Sequence, residues 1–86
     1  MIENRTFRLV AGADEAAFVA ADARFQTEVA YQQPGIARRT LAKGEDGEWL
    51  VVTNWWTVEQ AEAAPVMTDF VDLDTMVVRR YEELPG

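Results

Sequence analysis

The sequence predicts a small α+β protein whose elements follow the order β-α-β-β-α-β. Three observations lead to that fold class. Apolar and polar residues alternate in several short runs, which is typical of half-buried strands. Between these runs stand segments with helical apolar spacing, or short groups of glycine, proline and acidic residues that favour turns. The chain of 86 residues has the length of one domain, residues 1–86.

The first strand is predicted over residues 5–10, where Phe7 and Leu9 share one face. Asp14 can cap the helix that follows, because its carboxylate accepts backbone N–H groups that the first turn leaves unpaired. This helix is predicted over residues 15–33. Its apolar stripe contains Phe18, Ala21, Phe25 and Val29.

Three polar residues of this helix are predicted to lie away from the stripe, namely Asp22, Gln26 and Gln33. The helix must end before Pro34, which disfavours helical backbone at the preceding residue, and Gly35 suits the turn beyond it. The second strand is predicted over residues 36–43. Residues 44–47 then form a short hairpin connection, with a glycine at each end.

The third strand is predicted over residues 48–56. Its continuous apolar run, Trp49-Leu50-Val51-Val52, indicates a central strand that is covered on both faces. Alternation along the strand places Asn54 and Trp56 on one face and Trp55 on the other.

A capping box, formed by Thr57 and Gln60, predicts the start of the second helix, which is expected to run through Ala64. Pro65 interrupts it, and a short second helical piece is predicted over residues 66–71. The remaining elements are a loop at residues 72–74 and a fourth strand at residues 75–82.

This order is that of the ferredoxin-like plait, a four-stranded antiparallel sheet with both helices on one face. Strands one and three are expected in the centre, and strands two and four at the edges. The apolar third strand suits a central position, and the arginines of the second and fourth strands suit edges. The chain supplies no cover for the other face of the sheet.

The composition excludes several classes of protein. Without Cys or His, thiolate sites, zinc–histidine sites and Ser–His–Asp triads cannot form, and we expect neither a metal nor a cofactor. A net charge of −7 disfavours nucleic acid and anionic membranes. No secretory signal pattern and no apolar run of roughly 20 residues is found, so a cytoplasmic location is expected.

We also expect a homodimer that forms through the open sheet face. A chain of this length buries only about 60% of its unfolded surface. Hydrophobic residues make up 49% of the sequence, which is more apolar surface than a small monomer easily hides. A second copy of the chain is the simplest cover.

Five motifs stand in an order and spacing shared with a known superfamily. They are Gln33-Pro34-Gly35, Ile36-Ala37-Arg38-Arg39, Glu45-Asp46-Gly47-Glu48-Trp49, Asn54-Trp55-Trp56 and Thr57-Val58-Glu59-Gln60-Ala61-Glu62-Ala63. Together they resemble the dimeric α/β-barrel superfamily, near the antibiotic-biosynthesis monooxygenase-like proteins. The resemblance extends over residues 6–84, and Trp56 aligns with the Trp that commonly ends the third strand of that family.

The resemblance implies a homodimer whose two sheets pack into a barrel, with a small cavity in each subunit between sheet and helices. Some members oxidise aromatic polyketides without metal or flavin, others bind and degrade haem, and many have no known activity. This chain lacks the His that often follows the Glu-x-Ala stretch, which argues against the haem-degrading branch. Its short second helical region with Pro65 leaves the size of the cavity open.

The candidate catalytic residues are Asn54, Trp56 and Tyr31. An indole and a side-chain amide at a strand end can hold a planar substrate and polarise its oxygen. Tyr31, at the end of the first helix, can donate a hydrogen bond to a substrate carbonyl. The structural alternative is that the aromatic residues pack in the core or the dimer interface and that Asn54 bonds to backbone.

The candidate substrate-binding residues for a small aromatic ligand are Arg8, Phe25 and Trp56. Arg8 lies on a central strand and needs a partner, for which a buried acid or a bound anion would serve. The pairs Arg38-Arg39 and Arg79-Arg80 each send one residue to each face of the sheet. Edge protection and salt bridges explain these pairs more simply than a ligand does.

The sequence leaves two main functions open, and a regulatory amino-acid-binding domain of the same plait is a third alternative with no specific motif behind it. The first is cofactor-independent oxidation of a small aromatic or polyketide-like compound, which needs a pocket that excludes water and stabilises a substrate anion. The second is a non-catalytic dimeric module that binds a small ligand or serves a structural role. A large cavity with convergent polar groups favours the first, and a filled space between sheet and helices favours the second.

Overall fold

Four β-strands and two α-helices follow one another in the predicted order in a computed structural model of the protein, which describes all 86 residues. Along the chain they are β1 (Ile2–Leu9), α1 (Glu15–Glu28), a 3-10 turn (Ala30–Gln32), β2 (Ile36–Lys43), β3 (Trp49–Trp55), α2 (Val58–Ala63) and β4 (Val71–Tyr81). The strands form one antiparallel sheet in the order β2-β3-β1-β4. This confirms the α+β class and the central position of β1 and β3, and it is compatible with a ferredoxin-like plait.

The side chains of β3 alternate between two environments. Trp49, Val51 and Trp55 are each at most 7% exposed and face the helices, on what we name the helix-covered face. Leu50 and Val52 are only half-buried, on what we name the uncovered face. Strand alternation explains the two environments. The sequence predicted that β3 is covered on both faces, but within the single chain only the helix-covered face of this strand is covered.

The core is centred on Phe18 of α1, which is 0% exposed. Its ring meets Phe7 of β1 and Trp49 of β3 edge-on, with centroid distances of 5.8 and 5.0 Å. Val51 and Val71 complete the buried cluster. The core therefore lies between α1 and the helix-covered face, where the apolar stripe of the helix predicted it.

Helix α1 starts as predicted and ends earlier. The Asp14 carboxylate accepts the N–H groups of Ala16 and Ala17. The predicted end at residue 33 was wrong, because the helix stops at Glu28 and the chain tightens into the 3-10 turn. No helix combines the length and the apolar composition that crossing a membrane requires.

The segment between α2 and β4 differs from its prediction. The predicted helical piece at residues 66–71 is absent, and residues 64–70 contain no regular structure. Ala64 adopts extended backbone before Pro65, as the proline ring demands. The predicted loop at residues 72–74 is instead part of β4, because Asp72 pairs with Arg8 of β1 beyond a register shift.

Gly35 allows a close approach between the turn before β2 and helix α2. Its φ of +86° favours glycine, and an added Cβ would collide with the side-chain amide of Gln60. The Gln60 backbone N–H donates to the Thr57 hydroxyl at 3.1 Å, as the capping box predicted. The Gln60 side chain lies against Gly35 instead of completing the box, and its Oε1 atom is buried without a partner.

We expect Gly35→Ala to lower the free energy of unfolding by about 2–3 kcal/mol. Left-handed backbone strain contributes about 1–2 kcal/mol, and about 1 kcal/mol more arises because the Gln60 amide, the end of a flexible side chain, must move away from the added Cβ. Gly12→Ala is the matched control, since Gly12 has a similar φ of +79° but no atom near the added Cβ. That variant should lose only about 1–2 kcal/mol. Urea unfolding of both variants separates steric overlap from backbone strain, and equal losses would contradict the overlap.

Candidate functional site

A small cavity lies between the helix-covered face of the sheet and the helices. Its volume is about 40 Å³, and the irregular segment at residues 64–67 lines one side of it. Six of the 16 residues in its wall are charged or polar, namely Glu3, Arg5, Asp22, Gln33, Arg39 and Thr53. The centre of one water molecule needs about 10–15 Å³ of such space, so the cavity holds only a few non-hydrogen atoms.

Arg39 and Asp22 form a bidentate ion pair in the cavity wall. The two nitrogen–oxygen distances are 2.9 and 2.6 Å, and the side chains are 5% and 4% exposed. The Arg39 guanidinium also donates to Gln26 at 3.2 Å and lies 5.5 Å from the ring centroid of Phe25. Arg39 is therefore held on several sides and has little capacity left for a ligand.

The hydroxyl of Tyr31 holds the backbone of Arg39 in place. Its hydroxyl accepts the N–H of Arg39 at 3.0 Å and donates to the carbonyl of Arg39 at 3.3 Å. Two hydrogen bonds to one residue of the β2 edge strand tie the 3-10 turn to the sheet. The phenol thus positions Arg39 and is itself 41% exposed.

Glu3 is the second buried carboxylate of the wall, at 4% exposure. Its Oε2 atom accepts from Arg80 at 3.0 Å, and its Oε1 atom lies 3.4 Å from Arg5. The remaining contact of the Arg5 guanidinium is a 3.2 Å approach to the sulfur of Met76, which is a weak acceptor. Arg5 is therefore the cation of the wall with the weakest partners, although its side chain is only 15% exposed.

Trp55 lines the cavity with a buried and unpaired donor. The residue is 7% exposed, and its indole Nε1 atom has no hydrogen-bond partner in the protein. A buried donor without a partner costs about 1–3 kcal/mol relative to a satisfied one. The cavity thus combines an indole N–H and a weakly held guanidinium, both of which favour an acceptor or an anion.

The structure separates the residues that sequence reasoning grouped as candidates. Phe25 lines the cavity, and Tyr31 reaches its wall only through the backbone of Arg39. Asn54 lies on the uncovered face, where its pairing places it opposite Ile2. Trp56 is 78% exposed and lines an open surface groove together with Tyr81. Of the adjacent tryptophans, Trp55 belongs to the cavity and Trp56 does not.

Arg8, the other candidate binding residue, faces away from the cavity. Its guanidinium donates to the backbone carbonyl of Asp46 at 2.8 Å and to the carboxylate of Asp46 at 3.1 Å. The two side chains are 46% and 69% exposed. The partner that Arg8 needs is therefore an exposed acid in the β2–β3 turn, and such surface pairs contribute little to stability.

Sequence reasoning missed Glu3, Arg5 and Asp22. The placement of Asp22 away from the apolar stripe was wrong, because Asp22 is 3% exposed and faces the sheet. The sequence carries a signal for this burial in its spacing. Asp22 stands four residues after Phe18, about one helical turn further along, and therefore lies on the same face of α1. Glu3 and Arg5 alternate in register with Phe7, but the predicted strand began too late to include Glu3.

The turn that holds Arg8 carries a pH dependence. A backbone N–H bond from Glu48 contributes most to lowering the pKa of the Asp46 carboxyl below its ordinary value, and the Arg8 guanidinium adds to it. A lowered folded-state pKa means that this stabilisation is present above the ordinary carboxyl range and is lost as the pH falls through the lowered value.

We therefore expect the stability difference between wild type and Asp46→Asn to shrink as the pH falls from neutral toward about 2. Urea unfolding of both proteins across that range measures it. A difference that does not change with pH would contradict the contribution of the ionised Asp46 carboxylate.

No family model matches the chain, and no curated protein matches it. The fold and the site define its class by themselves: a small α+β protein with a charged cavity between an antiparallel sheet and its helices.

Proposed function

We propose that this protein binds a small molecule in the cavity between sheet and helices, and that it works as a homodimer of the α/β-barrel type. The observation that carries the proposal is the buried, unpaired indole N–H of Trp55, in the wall of the same cavity that the weakly held guanidinium of Arg5 lines. Convergent polar groups in a concave, largely apolar site are the usual mark of a binding site.

Stability alone does not account for such a wall. Buried ion pairs can often be replaced by apolar residues of similar volume without loss of stability. Here two ion-pair networks, centred on Glu3 and Asp22, stand on the wall of one cavity. An unpaired donor in the same wall lowers stability further. A ligand that accepts hydrogen bonds explains why these groups stand together.

The dimer is supported by the uncovered face. Val77 of β4 is 47% exposed and shares this face with Thr6, Leu50 and Val52. Apolar side chains on a sheet face without helices favour a second layer, and two copies of one face meet through a two-fold axis. The dimeric α/β-barrel arrangement, implied by the motif resemblance, provides that layer.

Val77→Glu should produce a monomer at micromolar concentration, because a C2 contact would bury the new charge twice. Val19→Glu is the matched control: Val19 lies on α1 and is similarly exposed, at 44%. Sedimentation velocity of wild type and both variants decides the point. A monomeric wild type, or a dimer that survives Val77→Glu, counts against the uncovered face as the interface.

A second candidate function is the cofactor-independent oxidation that the resemblance to antibiotic-biosynthesis monooxygenases suggests. In such a reaction O₂ converts a methylene of an anthrone-like substrate to a carbonyl, and water is the other product. The guanidinium of Arg5 and the indole N–H of Trp55 favour it, since donors in the wall of a narrow cavity can stabilise the substrate anion that O₂ attacks. The volume opposes it: 40 Å³ is far below the roughly 300 Å³ of typical ligand pockets. A tricyclic substrate requires displacement of residues 64–67.

Separate substitutions of Trp55 and Trp56 distinguish the two proposed functions and the two candidate sites, which are the cavity and the open groove. For small-molecule binding, NMR titration with small acceptor-bearing aromatic fragments should shift the Trp55 indole resonance, and Trp55→Phe should abolish binding. Trp56→Phe is the control on the other face.

For oxidation, O₂ consumption with anthrone or a quinol should fall in Trp55→Phe alone. Effects confined to Trp56→Phe would move the site to the open groove, and no shift with any fragment would refute binding in the cavity.

A further inference from the structure

We propose that the open groove around Trp56 is a docking site for an extended segment of a partner protein that carries lysine or arginine side chains. The lining of this groove comes from the end of β3, the start of α2 and the end of β4. The groove shares no residue with the cavity between sheet and helices. It is therefore a second site, and its function is independent of the ligand proposed for the cavity.

Exposed apolar side chains gather in the groove. Trp56 is 78% exposed, the largest fraction among the exposed large hydrophobic residues of the chain, and Tyr81 and Val58 are 45% and 39% exposed. Hydrophobic residues scattered singly over a surface need no explanation, but several in one concave surface mark an interaction site. Tryptophan and tyrosine are also the residues that contribute most often to the energy of protein contacts.

The register of the sheet sets the width of the groove. Ile2 of β1 pairs with Asn54 of β3 on one side and with Tyr81 of β4 on the other. Neighbouring strands lie about 4.8 Å apart, so the two banks that continue β3 and β4 stand roughly 10 Å apart at their backbones. An extended chain fits this width better than a helix, whose diameter with side chains is about 10–12 Å.

Acidic side chains stand on both banks. Glu59 follows Trp56 at the start of α2, and Glu82 and Glu83 follow Tyr81 at the end of β4. None of these three carboxylates forms an ion pair within the chain. They also do not come together as the ligands of one metal ion would. A matching partner must therefore distribute its positive charge along its length.

The groove also contains two cationic groups, and both have partners. The ammonium group of Met1 donates to the backbone carbonyl of Trp55 at 2.9 Å, and Arg80 donates to the buried carboxylate of Glu3 at 3.0 Å. The full count of the groove, three acids and two cations, leaves one negative charge. Lysine and arginine complement this charge, and they also stack favourably on the face of a tryptophan ring.

The test compares a basic peptide with its neutral form on the intact protein. ¹⁵N-labelled wild type is titrated by NMR with a short capped peptide of alternating lysine and glycine, and with the same peptide acetylated on its lysines. We expect the lysine peptide to shift the Trp56 indole resonance with a Kd at least about tenfold below that of the acetylated peptide. Equal affinities, or no shift with either peptide, would overturn the proposal.

Variants matched in charge check the assigned residues. Glu82→Gln/Glu83→Gln should weaken binding of the lysine peptide at least about tenfold, because it removes the acids of one bank. Glu45→Gln/Glu48→Gln is the control, since it removes the same charge from exposed positions outside the groove. Trp56→Ala should weaken binding as well. Equal losses in the two double variants would reduce the effect to overall charge and overturn the site.

Other occupants of the groove give different results in the same titration. A shift in monomeric Val77→Glu but not in wild type would mean that a second copy of the chain covers the groove. Tighter binding of spermidine than of the lysine peptide would assign the groove to a free polyamine. Either result overturns the peptide as the occupant. Since small-molecule binding in the cavity is followed through Trp55, failure here leaves that proposed function standing.

Discussion

Replacing Asp22 with alanine is expected to lower the free energy of unfolding by about 3–5 kcal/mol, one of the two largest effects we anticipate for a single substitution. Removing the acid leaves the Arg39 guanidinium buried at 5% exposure with only Gln26 as a polar side-chain partner. A whole domain is stable by about 5–15 kcal/mol, so the variant should be close to unfolding at room temperature.

A control on the same helix shows whether the loss of stability comes from the burial of the ion pair or from the removal of an acid as such. Glu15 of α1 forms an exposed ion pair with Lys43, at 2.8 Å between side chains that are 54% and 45% exposed. Glu15→Ala should therefore cost no more than about 1 kcal/mol. The double variant Asp22→Leu/Arg39→Met should regain most of the loss, because it removes both charges and preserves volume. Urea unfolding measures all three, and a loss in Asp22→Ala as small as that in Glu15→Ala would contradict the buried pair.

Phe18→Ala is expected to cost a similar amount, about 3–5 kcal/mol, for an unrelated reason. The ring is 0% exposed and contacts Phe7 and Trp49 edge-on. Alanine leaves a cavity at the point where α1 meets the two central strands, and it also removes both aromatic contacts. Because the volume is enclosed by the sheet, the neighbouring side chains have limited freedom to fill it.

The neighbouring residue provides the control for this second effect. Val19 is 44% exposed, so Val19→Ala should change the stability by no more than about 0.5 kcal/mol. Thermal and urea unfolding of the two alanine variants give the comparison. Similar losses at positions 18 and 19 would mean that α1 does not pack through Phe18.

The parts of the fold that the sequence predicts well are those with local signals. Pro34 and Gly35 fix the start of β2, and its predicted range of 36–43 agrees with the structure. The Thr57 cap fixes α2 in the same way. The start of β4 has no such signal: Asp72 and Asp74 favour a loop by propensity, and the pairing of Asp72 with Arg8 of β1 draws this stretch into the strand. Pairing with β1, and not the local sequence, therefore sets the start of β4.

The site was harder to predict than the fold for a related reason. Unusual side chains direct attention to Trp56, Asn54 and Arg8, but strand alternation sends all three away from the cavity. The residues that form its wall are ordinary acids and arginines, and they become distinctive only through burial. Asp22 and Arg39 are 17 residues apart in sequence, so their pairing depends on how α1 lies across β2. The sequence alone does not show how close the helix and the strand bring these two side chains in space.

The opposite orientation of Trp55 and Trp56 has an optical consequence. Trp49 and Trp55 are buried at 5% and 7% exposure, whereas Trp56 is 78% exposed. The intrinsic emission of the protein is therefore a sum of a blue-shifted part from one side of the sheet and a red-shifted part from the other. Iodide should quench only the second part. Each side of the sheet thus carries its own natural fluorophore, and occupation of either side can be followed without a label.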